Sequence, residues 1–215
     1  MAACEGYILA PGGVQGAPTI QSFDYSRAQR VTDAHARYQY AVLNGNVFIA
    51  SNTAAVTFGT ALTATGVTAH LTNPLGSGIC AVLLKTCITV AASSTAGSIV
   101  YAYNGLGALT TGVIHGTPGT IQNAKLGIPG AIGAGGGSGS ASKCFFDSAC
   151  TLPAAPVMLR PIAFGPVTAT AATGFIIDYV DGEIILQPGT TLSVQGITIV
   201  GTGLISFTWE EVPQQ

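Results

Sequence analysis

Between Gly174 and Val212 the chain alternates short apolar runs with residue groups that reverse its direction. GFIIDYV (174–180) meets Asp181-Gly182, EIILQ (183–187) meets Pro188-Gly189, TTLSVQGITIV (190–200) meets Gly201-Thr202-Gly203, and LISFTWEEV closes the series. Asp-Gly and Pro-Gly supply the backbone angles at which strands turn back. The runs between them are rich in β-branched and aromatic residues, which fit a pleated, half-buried surface. Turn signals every 8–12 residues or so are the spacing of a β-sandwich or barrel.

The same alternation extends upstream. AVLNGNVFIA (41–50) holds Asn44-Gly45, which predicts a hairpin, and TNPLGSG (72–78) is a turn cluster. ICAVLLKTCITV (79–90) is apolar on both alternating faces, with Cys80, Val82, Leu84, Thr86, Ile88 and Val90 on one of them. It reads as a central strand. SIVYAYN (98–104), CFF (144–146) and PVMLRPIAF (156–164) are further strands, and the prolines place the last at a sheet edge. Residues 105–143 are Gly-rich and end in GAGGGSGSAS (133–142), expected to form a long loop without regular structure. Ser22–Tyr40 differs, since it carries Asp24, Arg27, Arg30, Asp33 and Arg37 and has apolar residues at roughly helical spacing. The expected organisation is an N-terminal arm over 1–40, extended or with a short helix. An all-β antiparallel sandwich over 41–215 follows, interrupted by the Gly-rich loop.

Charge sharpens the reading. Only 7% of the residues are charged, against roughly 25% in an average domain. That excludes a coiled coil or charged helical bundle. A net charge of −2 argues against a nucleic-acid partner, because phosphate binding needs a basic surface. The apolar stretches are broken by Asn, Thr, Gly and Pro, so no membrane span or membrane partner is expected. A freely diffusing monomer keeps a charged surface; a chain this poor in charge is expected to cover its surface with other chains.

Motifs for chemistry are sparse. His35, His70 and His115 are far apart and share no ligand spacing, so no metal is expected. GAGGGSG (133–139) lacks the Lys-Ser/Thr pair and following helix of a phosphate loop, so no cofactor is expected. Asp178, Asp181 and Glu183 could in principle serve glycoside hydrolysis or hold calcium, but turn chemistry explains Asp181. Trp209 followed by Glu210 and Glu211 could meet a sugar; protection of a terminal edge strand by charge is the simpler account. Of the five cysteines, Cys144 and Cys150 flank FFDSA and could close a loop, although synthesis in a reducing cytoplasm disfavours a bond.

Two stretches carry a resemblance. Residues 36–104 run through a strand, an Asn-Pro turn and a Gly-Ser-Gly turn into a long apolar strand. Residues 174–212 run through an apolar hairpin and a Pro-Gly turn to a Trp beside acids. Both are similar to small virion proteins of tailed bacteriophages, and the resemblance leaves the Gly-rich middle unmatched. It implies a capsid decoration (cement) protein with a jelly-roll-like sandwich, made in the host cytoplasm and located on the capsid surface. Its expected partners are further copies of itself, as a homotrimer, and the major capsid protein. Phe23, Arg27, Arg30 and Arg37 are the candidate capsid contacts, and no catalysis is expected. The alternative is a tail-associated or fibre-like receptor-binding protein contacting host glycan.

Overall fold

Asn44-Gly45 caps a helix instead of turning a hairpin. In the computed structural model, α1 (Gln39–Leu43) ends where the Gly45 N–H donates to the Val42 carbonyl at 2.9 Å and the Asn46 N–H to the Ala41 carbonyl at 3.1 Å. Gly45 has φ +77°. This double bond around a left-handed glycine is the Schellman arrangement. Asn-Gly meets the same conformational need in a hairpin or a helix end, and here the upstream residues are helical. The chain divides into two units, Met1–Gln39 and Tyr40–Gln215. The structure describes residues 37–66, 68–93, 97–105, 114–115, 119–126, 132–134, 142–164 and 174–214, and the account below concerns the second unit.

The described strands are β1 (Val47–Ser51), β2 (Val56–Phe58), β3 (Thr65–Gly66), β4 (Ala69–Asn73), β5 (Ile79–Ser93), β6 (Ser98–Asn104), β7 (Ile114–His115), β8 (Thr120–Asn123), β9 (Ile132–Ala134), β10 (Phe145–Asp147), β11 (Cys150–Thr151), β12 (Val157–Phe164), β13 (Gly174–Leu186), β14 (Thr190–Ile197) and β15 (Gly201–Pro213). One sheet has the order β13-β5-β15-β1-β8-β9, with β2 also on β15. The second has the order β10-β4-β14-β6-β12, and β3-β11-β7 form a small third sheet. Every pairing is antiparallel.

Setting aside the short strands leaves β1, β4, β5, β6, β12, β13, β14 and β15. In that series the first sheet runs first-eighth-third-sixth and the second runs second-seventh-fourth-fifth. This is the strand order of a jelly roll, and the expected all-β sandwich is the observed fold. Its core lies between the sheets, with Phe48, Leu83, Ile88, Phe207 and Trp209 on one inner face and Leu71, Ile99, Tyr101, Phe146 and Leu192 on the other. Phe146 meets Phe207 edge-on across the gap at 6.1 Å between centroids, and Phe48 stacks on Trp209 within its own sheet.

The turn at 72–78 is a corner between the sheets. Asn73 is fully buried, and its Nδ2 donates to the carbonyls of Ile79 (2.8 Å) and Leu186 (2.9 Å). The Gly189 N–H donates to the Asn73 carbonyl at 2.8 Å, which fastens the Pro188-Gly189 turn to the same corner.

Four further expectations need correction. The segment 174–187 is not a hairpin, because β13 runs through Asp181-Gly182 and stays on β5 throughout; the register jumps from Tyr179↔Lys85 to Ile184↔Leu83. Asp181 (φ 53°) and Gly182 (φ 91°) form a bulge. Two consecutive positive φ values suit either device, and the long partner β5 selects the bulge. The faces of β5 also switch midway. Ala81 and Leu83 point inward, then Thr86, Ile88 and Val90, because Leu84 is the extra residue in a bulge against β15. Third, β15 is no edge strand: it lies between β5 and β1, and Gly201-Thr202-Gly203 belongs to it. Fourth, the Gly-rich stretch contributes β7, β8 and β9, with Gly133 and Ala134 inside β9. A strand ladder uses backbone groups alone, so a side-chain-poor segment can still pair. Residues 135–141 lie outside the described set. The edge position expected for PVMLRPIAF is observed, with β12 paired to β6 alone among the described strands.

Close packing at Gly203 yields a test. A Cβ there would sit 2.3 Å from the Thr89 carbonyl oxygen and 2.8 Å from Phe58 Cζ. Gly203→Ala is expected to cost roughly 1–3 kcal/mol by overpacking. Gly76→Ala, at φ +79° in open space, should cost about 1 kcal/mol. Urea denaturation of both variants checks the order.

Candidate functional site

β12 and β13 are the outermost strands on one side of the two sheets. Tyr101 and Arg160 are register partners on β6 and β12, while Asp178 on β13 pairs with inward-facing Thr86. Alternation therefore turns all three side chains into the seam. The Tyr101 hydroxyl donates to Asp178 Oδ2 at 2.8 Å, and Arg160 Nη2 donates to the same oxygen at 2.8 Å. Arg160 Nη1 lies 3.8 Å from Glu183 Oε2, carried by the β13 bulge. The guanidinium carbon is 5.6 Å from the Tyr101 ring centroid. Burial, assisted by the hydrogen bond and charge of Asp178, pushes the Tyr101 phenol far above its ordinary pKa, so it stays a donor. The cluster works as a latch between the sheets.

Beside it a cleft of about 470 Å³ opens between Tyr103, Leu159, Glu183, Ile185 and Gln187, over a floor that includes Leu192. On the outer surface of the β13–β5–β15 sheet, Phe175, Ile177, Tyr179 and Leu204 are exposed.

Of the candidate capsid contacts, Phe23, Arg27 and Arg30 lie outside the described residues. Arg37 is exposed, with its guanidinium 5.5 Å over the Tyr38 ring. The acids at 178–183 divide their work: Asp178 and Glu183 meet Arg160, and Asp181 shapes the bulge. Trp209 is fully buried and cannot meet a sugar. Its Nε1 donates to Glu211 at 3.3 Å. Glu211 also accepts the Ser142 hydroxyl and the N–H groups of Lys143 and Cys144, which anchors the exit of the Gly-rich stretch. Cys80, Cys87, Cys144 and Cys150 are free thiols. Burial and the Glu211 charge hold the Cys144 thiol well up, and burial with Asp147 pushes Cys150 up to about 12. His35 lies outside the described residues. Among those described, no three His, Cys, Asp or Glu side chains gather as metal ligands. The sequence reading missed Tyr101 and Arg160. The one signal was a cation inside the apolar run PVMLRPIAF, which demands a partner.

His70 is buried on β4 beside Asp147 and Ser193, its register partners. Its Nδ1 lies 2.9 Å from the Thr68 carbonyl. A carbonyl only accepts, so the proton sits on Nδ1, and Nε2 is an acceptor without a partner. Burial, opposed by the Thr68 bond, lowers its pKa to about 4.

No protein-family model, curated protein or solved structure matches the chain.

Two tests follow from these geometries. Asp178→Ala removes the acceptor shared by the Tyr101 hydroxyl and Arg160 and is expected to cost roughly 1–3 kcal/mol. Glu183→Ala, at a long and exposed contact, should cost less than about 0.5 kcal/mol; denaturant midpoints decide between them. His70 has a lower pKa folded than unfolded, so the unfolded chain binds more protons between pH 6.5 and about 4. Stability should therefore fall as pH drops through that window, by up to about 1.4 kcal/mol per pH unit. His70→Gln should flatten that slope in pH-dependent unfolding.

Proposed function

We propose that the chain is a non-enzymatic virion protein of a tailed bacteriophage that decorates and stabilises the capsid surface, bridging neighbouring major capsid subunits as a homotrimer. The observation that carries the reading is the jelly-roll strand order, a sandwich that viral shell proteins use. The very low charge and the resemblance of residues 36–104 and 174–212 to small phage virion proteins support it. The mechanism is linkage. A protein that binds only the assembled lattice stabilises that lattice by RT ln(1 + [L]/Kd), about 2.7 kcal/mol at a hundredfold excess over Kd. Phe23, Arg27, Arg30 and Arg37 are the proposed capsid contacts, with the guanidinium groups meeting carboxylates.

A second reading is favoured by the cleft. Tyr103 presents an exposed ring beside Glu183 and Gln187, an aromatic and polar combination suited to a host glycan, as in a receptor-binding tail protein.

Purified protein mixed with expanded, undecorated heads of its phage should co-sediment at saturable occupancy and raise their thermal stability. The triple variant Arg27→Ala/Arg30→Ala/Arg37→Ala should bind them at least about tenfold more weakly, with less salt dependence. No binding to heads, together with binding to host polysaccharide, would overturn the decoration reading in favour of the second.

A further inference from the structure

The outer surface of the β13–β5–β15 sheet is organised in rows set by register. Phe175, Thr89 and Leu204 form one, Ile177, Cys87 and Ser206 the next, and Tyr179, Lys85 and Thr208 the third. Ile185 continues the stripe on β13 beyond the bulge. Relative exposures are 65% for Phe175 and Tyr179, 54% for Ile185, 41% for Leu204 and 39% for Ile177. Lys85 is the one charged residue in the three rows; the Ile185 row adds Glu210, and the bulge before it carries Asp181 and Glu183.

With aromatic side chains of roughly 150–250 Å² and somewhat smaller aliphatic ones, these five residues leave on the order of 500 Å² of apolar surface uncovered. A stable interface takes about 800 Å² from each partner, of which roughly 56–65% is apolar. The patch supplies about the apolar share that one such interface needs, and it matches the upper range of single patches on monomers, which are often functional. We infer that this face is where a second copy of the chain packs. The inference rests on the self-association in the proposed function and locates it.

The mode of packing follows from the edge. Strand addition to β13 would need a straight run of free backbone groups. Here the ladder with β5 is interrupted over residues 180–183, and Asp178 turns its charge inward to Arg160. Both features discourage edge-to-edge pairing. The contact is therefore face-on, through side chains, with Phe175 and Tyr179 as its anchors. Aromatic anchors of this kind carry most of the binding energy in protein interfaces.

Light scattering of the full chain over a concentration series provides the test. The wild type is expected to form an oligomer at micromolar concentration. Phe175→Lys/Tyr179→Lys should raise the dissociation constant at least about a hundredfold with an unchanged circular-dichroism spectrum, and Leu75→Lys, at an exposed position of the 72–78 turn, should leave it unaltered. Hydrogen exchange on the wild type needs no variant, and protection of β13 amides should rise with protein concentration. A monomeric wild type, or an oligomer that survives the double substitution without concentration-dependent protection of β13, overturns the inference. Head co-sedimentation is scored separately. Failure there with an intact β13-dependent oligomer removes the capsid reading and leaves this one standing.

Discussion

The ladder between β5 and β15 is the constraint on which the rest of the molecule depends. These strands pair from Ile79↔Pro213 to Ser93↔Gly201, and each carries a further strand on its other side, β13 on β5 and β1 on β15. A single displaced residue in this ladder would send every side chain beyond it to the opposite face. Leu84 is such a displacement, built in. It places Leu83 in the core on one side and Ile88 and Val90 on the other, and the bulge of β13 answers it in the neighbouring strand. The outward position of Phe175, Ile177 and Tyr179 follows from their register with Thr89, Cys87 and Lys85, the stretch of β5 that begins just past Leu84.

The seam between β12 and β13 inverts the usual distribution of polarity. Charged groups ordinarily sit outside and apolar groups inside. Here Tyr101, Arg160 and Asp178 are turned into the gap between the sheets, and the apolar side chains of β13 face outward. The inversion is tolerable because the polar cluster is internally satisfied: Asp178 accepts from both the phenol and the guanidinium. Removing Asp178 takes the carboxylate acceptor from the buried Tyr101 phenol, which makes this seam more costly to break than a wholly exposed ion pair.

The sandwich and most of its long strands were legible in the sequence because alternation and turn residues act locally. ICAVLLKTCITV, SIVYAYN and TTLSVQGITIV each lie within an observed strand or account for most of one. The prolines of PVMLRPIAF marked an edge because a missing N–H bars a central position. What failed were the choices that a distant partner makes. Asn44-Gly45 and Asp181-Gly182 advertise positive φ, and the sequence does not say whether a hairpin, a helix cap or a bulge will use it. The latch was illegible for a related reason. Tyr101 and Asp178 are 77 residues apart, and only the jelly-roll order brings β6 and β13 to the same side.

The scarcity of charge and the apolar outer face are consequences of one allocation. Arg160, Asp178 and Glu183 meet at the seam. Glu211 holds the exit of the Gly-rich stretch and the indole of Trp209, and Lys125 Nζ donates to the Leu43 carbonyl at 3.0 Å, behind the capped helix. These few ionic groups fasten one element to another, so they are not spread over the sheet surface, where charge would keep copies of the chain apart. Asp178 is turned inward by these contacts, while Arg160, Glu183 and Lys125 stay at the surface beside the elements they join. Charge used at the seams leaves the outer face of β13 to Phe175, Ile177 and Tyr179, the surface on which the proposed self-association rests.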